Sequence, residues 1–201
     1  MALTSQLLFA KVTAFYRKKL NFGSQFFLGK IKTIFAQNKT NRRKFMSDRL
    51  IDETARVLRS ILGKNASIRE FCTVHDSVIG DNVLILERVS IKKSIVGRGS
   101  DINANTYIEN AEIGEDVQIA MNCSIPGVTH NFSKKGINHE DVFKKIIIKD
   151  GAWIAAGCII LPGVTIGEGS VVGAGAIVNE DVPDHCIYTG TRDNPRLRPI
   201  N

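Results

Sequence analysis

Aliphatic residues recur along most of this chain at a step that belongs to neither a helix nor a strand. Leu62, Ile68 and Val74 stand six residues apart; Ile79, Ile85 and Ile91 follow, then Val96, Ile102 and Ile108, then Ile113, Ile119 and Ile125. Each trio repeats the one before it at seventeen residues, a step of five joining one trio to the next. After a break the rhythm resumes as Ile148, Ile154, Ile160, Ile166, Val172 and Val178, now six throughout and repeating at eighteen. A helix needs a period near 3.6 and a half-buried strand a period of 2, so one long element of either kind is excluded. Three six-residue steps do close a triangular coil, each step a short strand plus a corner, with coils stacked as parallel strands about 4.8 Å apart. The residue four places on is small or apolar, as a second inward position in a narrow prism requires: Ala66, Cys72, Val83, Val89, Cys123, Ala152, Cys158, Val164, Ser170 and Ala176. An internal repeat overrides other fold readings, and this one predicts an all-β solenoid whose coils touch only their neighbours.

The repeat organises the rest of the chain. Residues 62–183 are the coil, residues 1–61 a segment before it and residues 184–201 a tail. In residues 4–36 the apolar spacings 8–12–15 and 27–31–34 predict two short amphipathic helices separated by Gly23. Residues 37–47 read as a polar linker. From Asp48 to Leu62, Leu50, Ile51, Ala55, Val57, Leu58 and Ile61 are available to a buried face and predict one more short helix. The column of Ile79, Val96 and Ile113 should continue at residue 130, where His130 stands instead. Residues 130–147 leave the repeat as a loop that either replaces a coil or bulges from one.

Charge changes the picture at one end only. The net charge is +7, yet residues 1–50 hold eleven Lys and Arg against Asp48 alone, a net of +10, which leaves −3 for the remainder (7 − 10). Basic helices rich in Phe and Leu suit peripheral contact with an anionic membrane interface. They equally suit a cap on the open edge of the first coil. No apolar run is long enough to span a bilayer and no secretory signal stands out, so a cytoplasmic location is expected, with the inner membrane face as an option. The basic residues interleave with helix-face apolars and carry no nucleic-acid-binding motif, so nucleic acid is not expected as a partner. Cys72, Cys123 and Cys158 fall on the small inward position and read as core filling, not as a disulfide framework.

Within the late coils, Trp153-Ile154-Ala155-Ala156-Gly157, Leu161-Pro162-Gly163-Val164-Thr165-Ile166-Gly167 and Val172-Gly173-Ala174-Gly175-Ala176 resemble the hexapeptide-repeat acyltransferases. The style is that of the sugar O-acetyltransferases of the maltose, galactoside and nodulation type and their polysaccharide-modifying relatives. The resemblance spans roughly the last two-thirds of the chain. It implies a left-handed parallel β-helix, against the usual right-handed crossover rule. It also implies a homotrimer and acetyl-CoA as cosubstrate, held along the last coils between subunits. Ala156 and Ala174 match positions on the pantetheine path, and the tail arginines Arg192, Arg196 and Arg198 would meet the phosphates. The chain departs from the family pattern at Glu180, where Lys is common, and in the stretched ending from Gly190 to Arg196.

The site reading follows. Acyl transfer from a thioester to a hydroxyl needs a base near neutral pH. His130 stands where the repeat breaks, and Thr129-His130 matches the family's catalytic context. Asn105, in Asn103-Ala104-Asn105, resembles the family's helper Asn, although a corner Asn in a turn fits it equally. Glu112 breaks the apolar column of Val78 and Ile95 and precedes Thr129 by seventeen residues, which suggests a carboxylate stacked beneath the imidazole; Glu115 is the reserve. A rival, zinc bound by a His trio drawn from His75, His130, His139 and His185, is disfavoured because no close pair exists, so no metal is expected. The expected activity is acetyl transfer to a sugar hydroxyl, in a cell-surface polysaccharide or its precursor. The alternatives are an N-acetyltransferase of an amino-sugar nucleotide and a non-catalytic scaffold.

Overall fold

A computed structural model describes residues 51–191 and 194–199. The chain divides into two compact units, Met1–Arg42 and Arg43–Asn201, and the described residues lie in the second. The helices expected over residues 4–36 and the linker over 37–47 fall outside the described residues.

The described residues form a parallel β-solenoid and contain no helix. Short strands sort into three sheets, one per face of the coil. The first face stacks Arg56–Leu58, Thr73–His75, Ser90–Lys92, Tyr107–Glu109, Ser124–Pro126, Ile159–Ile160 and Ile177–Val178. The second runs from Ile61–Leu62 to Thr165–Ile166, and the third from Ser67–Ile68 to the tail. Register follows the sequence period: Val57 faces Val74, Val74 faces Ile91 and Ile108 faces Ile125. In the late coils Trp153 faces Val171 and Ile159 faces Ile177. The six-step residues form the core, with Val74, Ile85, Ile102, Ile119, Ile154 and Val178 wholly buried, each contributing about 1.5–3 kcal/mol. Ala66, Cys72, Val83, Cys123, Cys158 and Ala176 are buried beside them, and the four cysteines are free thiols.

The coil starts one turn earlier than the sequence reading has it. Ile51 bridges Ile68, Arg56–Leu58 pairs with Thr73–His75, and Ile61–Leu62 pairs with Val78–Ile79. Residues 51–61 are therefore the first coil and not a helix. Ile51, Val57 and Leu62 keep the steps of six and five. Leu58 imitates a helical face, but it points away from the core and is 41% exposed.

Most corners turn on a residue with positive φ. Between the first and second faces these are Arg59, Asp76, Lys93 and Asn110, with φ of 49–50°. That corner is the five-residue one, and a ladder of hydroxyls holds it. Ser60 Oγ accepts from the Ser77 N–H at 3.2 Å, Ser77 Oγ from the Ser94 N–H at 3.2 Å, and Ser94 Oγ from the Ala111 N–H at 3.1 Å. Buried backbone donors require such partners. The ladder stops at Ala111, which has no hydroxyl to pass on, and the next corner is where the chain leaves the repeat.

The interruption bulges from one coil and replaces none. Gly127 stacks on Asn110, whose Nδ2 donates to the Gly127 carbonyl at 2.8 Å. Approach is so close that a Cβ on Gly127 would stand 2.4 Å from the Asn110 oxygen. Residues 128–145 then leave the lattice, and Ile146 and Ile148 resume over Ala111 and Ile113. The gap of 35 residues (148 − 113) is one seventeen-residue repeat with eighteen inserted. The tail extends the third face: Cys186–Thr191 lies beside Val171–Val172, and Asn194–Pro199 folds back antiparallel as the edge. Tyr188 is wholly buried there and its hydroxyl donates to the Ile177 carbonyl at 3.1 Å.

Candidate active site

The inserted residues form an antiparallel hairpin of Val128–Ser133 and Gly136–Phe143. Val128 faces Phe143, Thr129 faces Val142 and His130 faces Asp141. Beyond His130 the register shifts, so Phe132 faces Ile137 and Asn138, His139 and Glu140 bulge against Asn131. Bulges re-aim groups next to functional sites. Here the bulge brings the Glu140 carbonyl oxygen to 3.2 Å from His130 Nδ1. A carbonyl oxygen only accepts, so Nδ1 carries the proton and the neutral ring keeps its lone pair at Nε2. Asp141 Oδ1 lies 3.9 Å from Nδ1, in reach of an ion pair with the protonated ring. The His130 side chain is 40% exposed.

The neck of the hairpin is tied to the coil on both sides. The Gly127 carbonyl accepts from the Lys144 N–H at 3.0 Å, and the Lys144 carbonyl from the Gly163 N–H at 3.1 Å. On the second face Lys145 Nζ stands 3.7 Å from Glu112. On the first-face side Lys93 Nζ lies 4.2 Å from the centroid of the Phe143 ring and 3.7 Å from Glu109. Glu109 in turn accepts a short hydrogen bond from the Tyr107 hydroxyl, and Lys92 lies over the Tyr107 ring. Burial, and then the bond to Glu109, push the Tyr107 hydroxyl well above the ordinary tyrosine range.

Other expected residues fall elsewhere. Glu112 stacks beneath Ile147, not beneath Thr129, because the insertion breaks the seventeen-residue count at residue 127. Its break in the apolar column is matched by the cation of Lys145. Asn105 occupies the corner between the third and first faces with φ of 58°, and its N–H donates to the Glu87 carbonyl at 3.0 Å. Ala156 shares that corner, its carbonyl accepting from the Gly175 N–H at 2.9 Å, with Ala174 immediately before Gly175. The hairpin springs from a different corner, so one copy of the chain does not place His130 on the edge that carries Asn105, Ala156 and Ala174. Arg196 and Arg198 are exposed on the last strand, and Arg192 lies outside the described residues. Glu115 is engaged with Arg98 at 2.6 Å. His75 sits on the first face, His139 in the hairpin and His185 at a late corner. Among the described residues no three His, Cys, Asp or Glu side chains could hold a metal ion.

Sequence reasoning missed the Glu140 carbonyl and Asp141. A signal was present: Ser133-Lys134-Lys135-Gly136 is a turn, and pairing outward from it brings His130 opposite residues near Asp141. It also missed Lys93, Tyr107 and Glu109, which look like ordinary solvated positions until the hairpin base is placed beside them.

The model of the GMPPB C-terminal domain matches residues 47–147, and the bacterial transferase hexapeptide model (six repeats) matches residues 145–180. A galactoside O-acetyltransferase of Lactococcus lactis is 38% identical over 92 residues, 43% of this chain and 43% of that protein. The chain spans about two fifths of the length of the curated relatives it matches first. Among solved structures, a variant of AntD, an N-acyltransferase from Bacillus cereus in complex with dTDP and coenzyme A, superposes with a TM-score of 0.63. It is 28% identical, and the match covers 72% of this chain and 84% of that one. A second AntD variant, in complex with dTDP-4-amino-4,6-dideoxyglucose and coenzyme A, gives a TM-score of 0.50 at 25% identity over 75% of this chain and 80% of that one. A solenoid built on six-residue steps, matched end to end by these two models, belongs to the family of the GMPPB C-terminal domain and, with its late coils, to the hexapeptide-repeat acyltransferases.

Proposed function

We propose that the chain is an acetyl-CoA-dependent acyltransferase that acetylates a sugar hydroxyl, in a cell-surface glycan or its precursor, with His130 as general base. The observation that carries this reading is the His130 imidazole held through Nδ1 by the Glu140 carbonyl, which leaves Nε2 as a positioned proton acceptor. Nε2 takes the proton of the acceptor hydroxyl as its oxygen attacks the thioester carbonyl. The tetrahedral intermediate expels the CoA thiolate, and the imidazolium returns the proton to sulfur. Asp141 supports the ring while it is charged. No acyl-enzyme is needed.

The late edge suits a long thin cosubstrate. Added Cβ atoms at Gly157 and Gly175 would meet nothing within 4 Å, and Ala156 and Ala174 beside them are small. A pantetheine arm can lie along that edge, with Arg196 and Arg198 available to phosphate. Since the hairpin and the late edge leave the coil at different corners, the thioester and His130 meet when edges of two copies come together, as a homotrimer provides. Residues 1–50, with their net charge of +10, support peripheral contact with an anionic membrane from the cytoplasmic side.

A second reading is favoured by the AntD likeness: transfer to the amine of an amino-sugar nucleotide, the kind of ligand found in the second AntD complex. One experiment separates the readings. Acetyl-CoA is offered with a panel of neutral sugars, oligosaccharides and amino-sugar nucleotides, and thiol release is followed beside a thermal melt with CoA. Transfer to hydroxyl acceptors supports the first reading and transfer confined to amines the second. No thiol release and no CoA-dependent rise in melting temperature leaves a non-catalytic scaffold.

A further inference from the structure

We infer that Lys93 is a positioning residue: it clamps the neck of the hairpin to the first-face side of the coil and so sets where His130 is presented. This rests on the acyltransferase reading for its catalytic consequence, while the clamp itself is a matter of geometry. A two-stranded hairpin is marginally stable on its own, and this one carries Phe132 and Ile137 exposed at its far end. Its backbone ties to the coil, through Gly127, Lys144 and Gly163, lie at the hinge and leave its pitch free. Pitch is fixed by side chains. Lys93 Nζ stands between the Phe143 ring at 4.2 Å and the Glu109 carboxylate at 3.7 Å.

The arrangement has direction. Directly paired residues of an antiparallel ladder share a face, and alternate residues share it again. Val128, Phe143, His130 and Asp141 are therefore on one face of the hairpin, and the cation that grips Phe143 grips the face that bears the base. Glu109 cannot swing away with Lys93, because the Tyr107 hydroxyl holds its other oxygen. Lys93 is itself a corner residue with φ of 49°, which sets the direction in which its Cα–Cβ bond leaves the edge. Asn110, one coil on, occupies the same corner and carries Gly127, so clamp and hinge share one edge.

The test uses the full chain. Lys134 and Lys135 form the turn of the hairpin, so tryptic clipping there reads its freedom without reference to activity. Lys93→Met keeps the length of the stem and removes the charge. Clipping is expected to quicken about 2- to 5-fold, the size of a lost surface cation–π contact. With an acceptor in hand, kcat should fall about 10-fold, part of the roughly 10²-fold that a misplacement near 1 Å can cost, with the KM for acetyl-CoA unchanged. Lys93→Arg should restore both, since guanidinium also stacks on a ring. Phe143→Leu should reproduce the clipping, and the double variant should add nothing to either single one. Wild-type clipping in Lys93→Met, or quickened clipping with unaltered kcat, overturns the proposal. A wild-type chain that transfers to no acceptor sinks the acyltransferase reading instead, and the clipping rates still decide the clamp.

Discussion

The coils before the hairpin and the coils after it bury the same kind of core and build opposite kinds of edge. Before it, every corner but one turns on a residue with a side chain: Arg59, Asn65, Phe71, Asp76, Asn82, Arg88, Lys93, Asn105, Asn110, Asp116 and Asn122 all have positive φ, with Gly99 the exception. Within the coils after it, the same positions are Gly151, Gly157, Gly163, Gly169 and Gly175, and a side chain returns at His185, beyond the last coil, with φ of 54°. A non-glycine residue in that region costs on the order of 1–3 kcal/mol, least for Asn and Asp. The early coils recover part of this through corner side chains that bond along the edge. Arg59 pairs with Asp76 at 2.7 Å, Asn65 Nδ2 donates to Asn82 at 3.1 Å, and Asn110 holds Gly127. The late coils give up these bonds and gain bare edges. On the proposed function, one half of the solenoid is edged for anchoring and the other for access, and the hairpin with His130 stands at their junction.

The junction is where the largest effect is expected. His130→Ala should lower kcat about 10²–10⁴-fold, the usual contribution of a positioned general base, at unchanged CoA affinity and melting temperature. Near-normal turnover by a folded, CoA-binding variant would remove the mechanism and reduce the hairpin to decoration between two kinds of edge.

The second prediction contrasts the edges directly. Gly175→Val and Arg88→Val put the same β-branched residue at the same corner, late and early, with φ of 69° and 57°. Gly175→Val should lose about 1–3 kcal/mol of stability, and Arg88→Val less, because Arg88 already carries most of that strain. Only Gly175→Val should raise the CoA dissociation constant, by about 10-fold or more, because only there does a side chain enter the path left by Ala156, Gly157 and Ala174. Equal CoA binding by the two variants, measured calorimetrically, would mean that bare edges serve folding alone.

The period of the core is legible in the sequence because it is a one-dimensional signal: Ile, Val or Leu every five or six residues suits a triangular coil and little else. Two parts of the lattice mislead for physical reasons. Ile51, Leu58 and Ile61 supply helical spacing within a single coil, and one coil is too short for its own repeat to outvote that. Counting places His130 on a core column, yet counting fails across an insertion; Ile148, not residue 130, continues Ile113. The reading of His130 does not stand on the count alone, because the Thr129-His130 context also carries it. Its expected partner does not survive, since the same failed count pairs Glu112 with it, while Asp141 and the Glu140 carbonyl arise from a bulge that no period announces. The Ser60, Ser77 and Ser94 ladder stands in the sequence at seventeen-residue spacing and goes unread, because hydroxyls at a corner look like turn residues.

The first face sharpens the comparison through pH. Tyr107 stacks in register on Ser124, then Ile159 and Ile177, so its column is polar early and aliphatic late. Burial and the bond to Glu109 raise the Tyr107 hydroxyl above its ordinary value. As pH rises past about 10, the unfolded chain releases this proton while the folded chain keeps it. The folded state then binds more protons, and stability falls with further rise in pH. Tyr107→Phe should therefore flatten the alkaline limb of a melting-temperature profile relative to wild type and leave the neutral region nearly unchanged. Parallel alkaline limbs would show that the early polar column does not couple to folding.

The smallest effect is a gain. Phe71 has φ of 59° and is 60% exposed, at the corner where Asn105 and Asn122 hold φ of 58° and 61°. A bulky ring in that conformation is strained, whereas Asn adopts it readily. The ring's compensation is Arg88, 5.8 Å from its centroid, worth about 0.5 kcal/mol at an exposed site. The Phe71 N–H donates to Thr54 Oγ1 at 2.9 Å, a backbone bond that substitution does not touch. Phe71→Asn should therefore stabilise the chain by about 0.5–1 kcal/mol, a rise of roughly 1–4 °C in melting temperature at this chain length. Replacement by Gly should gain less, because a glycine releases more backbone entropy on unfolding. A loss of stability in Phe71→Asn would show that the early edge recovers its strain through side-chain contacts at every corner, Phe71 included. The contrast between anchoring and access would then extend to the second coil.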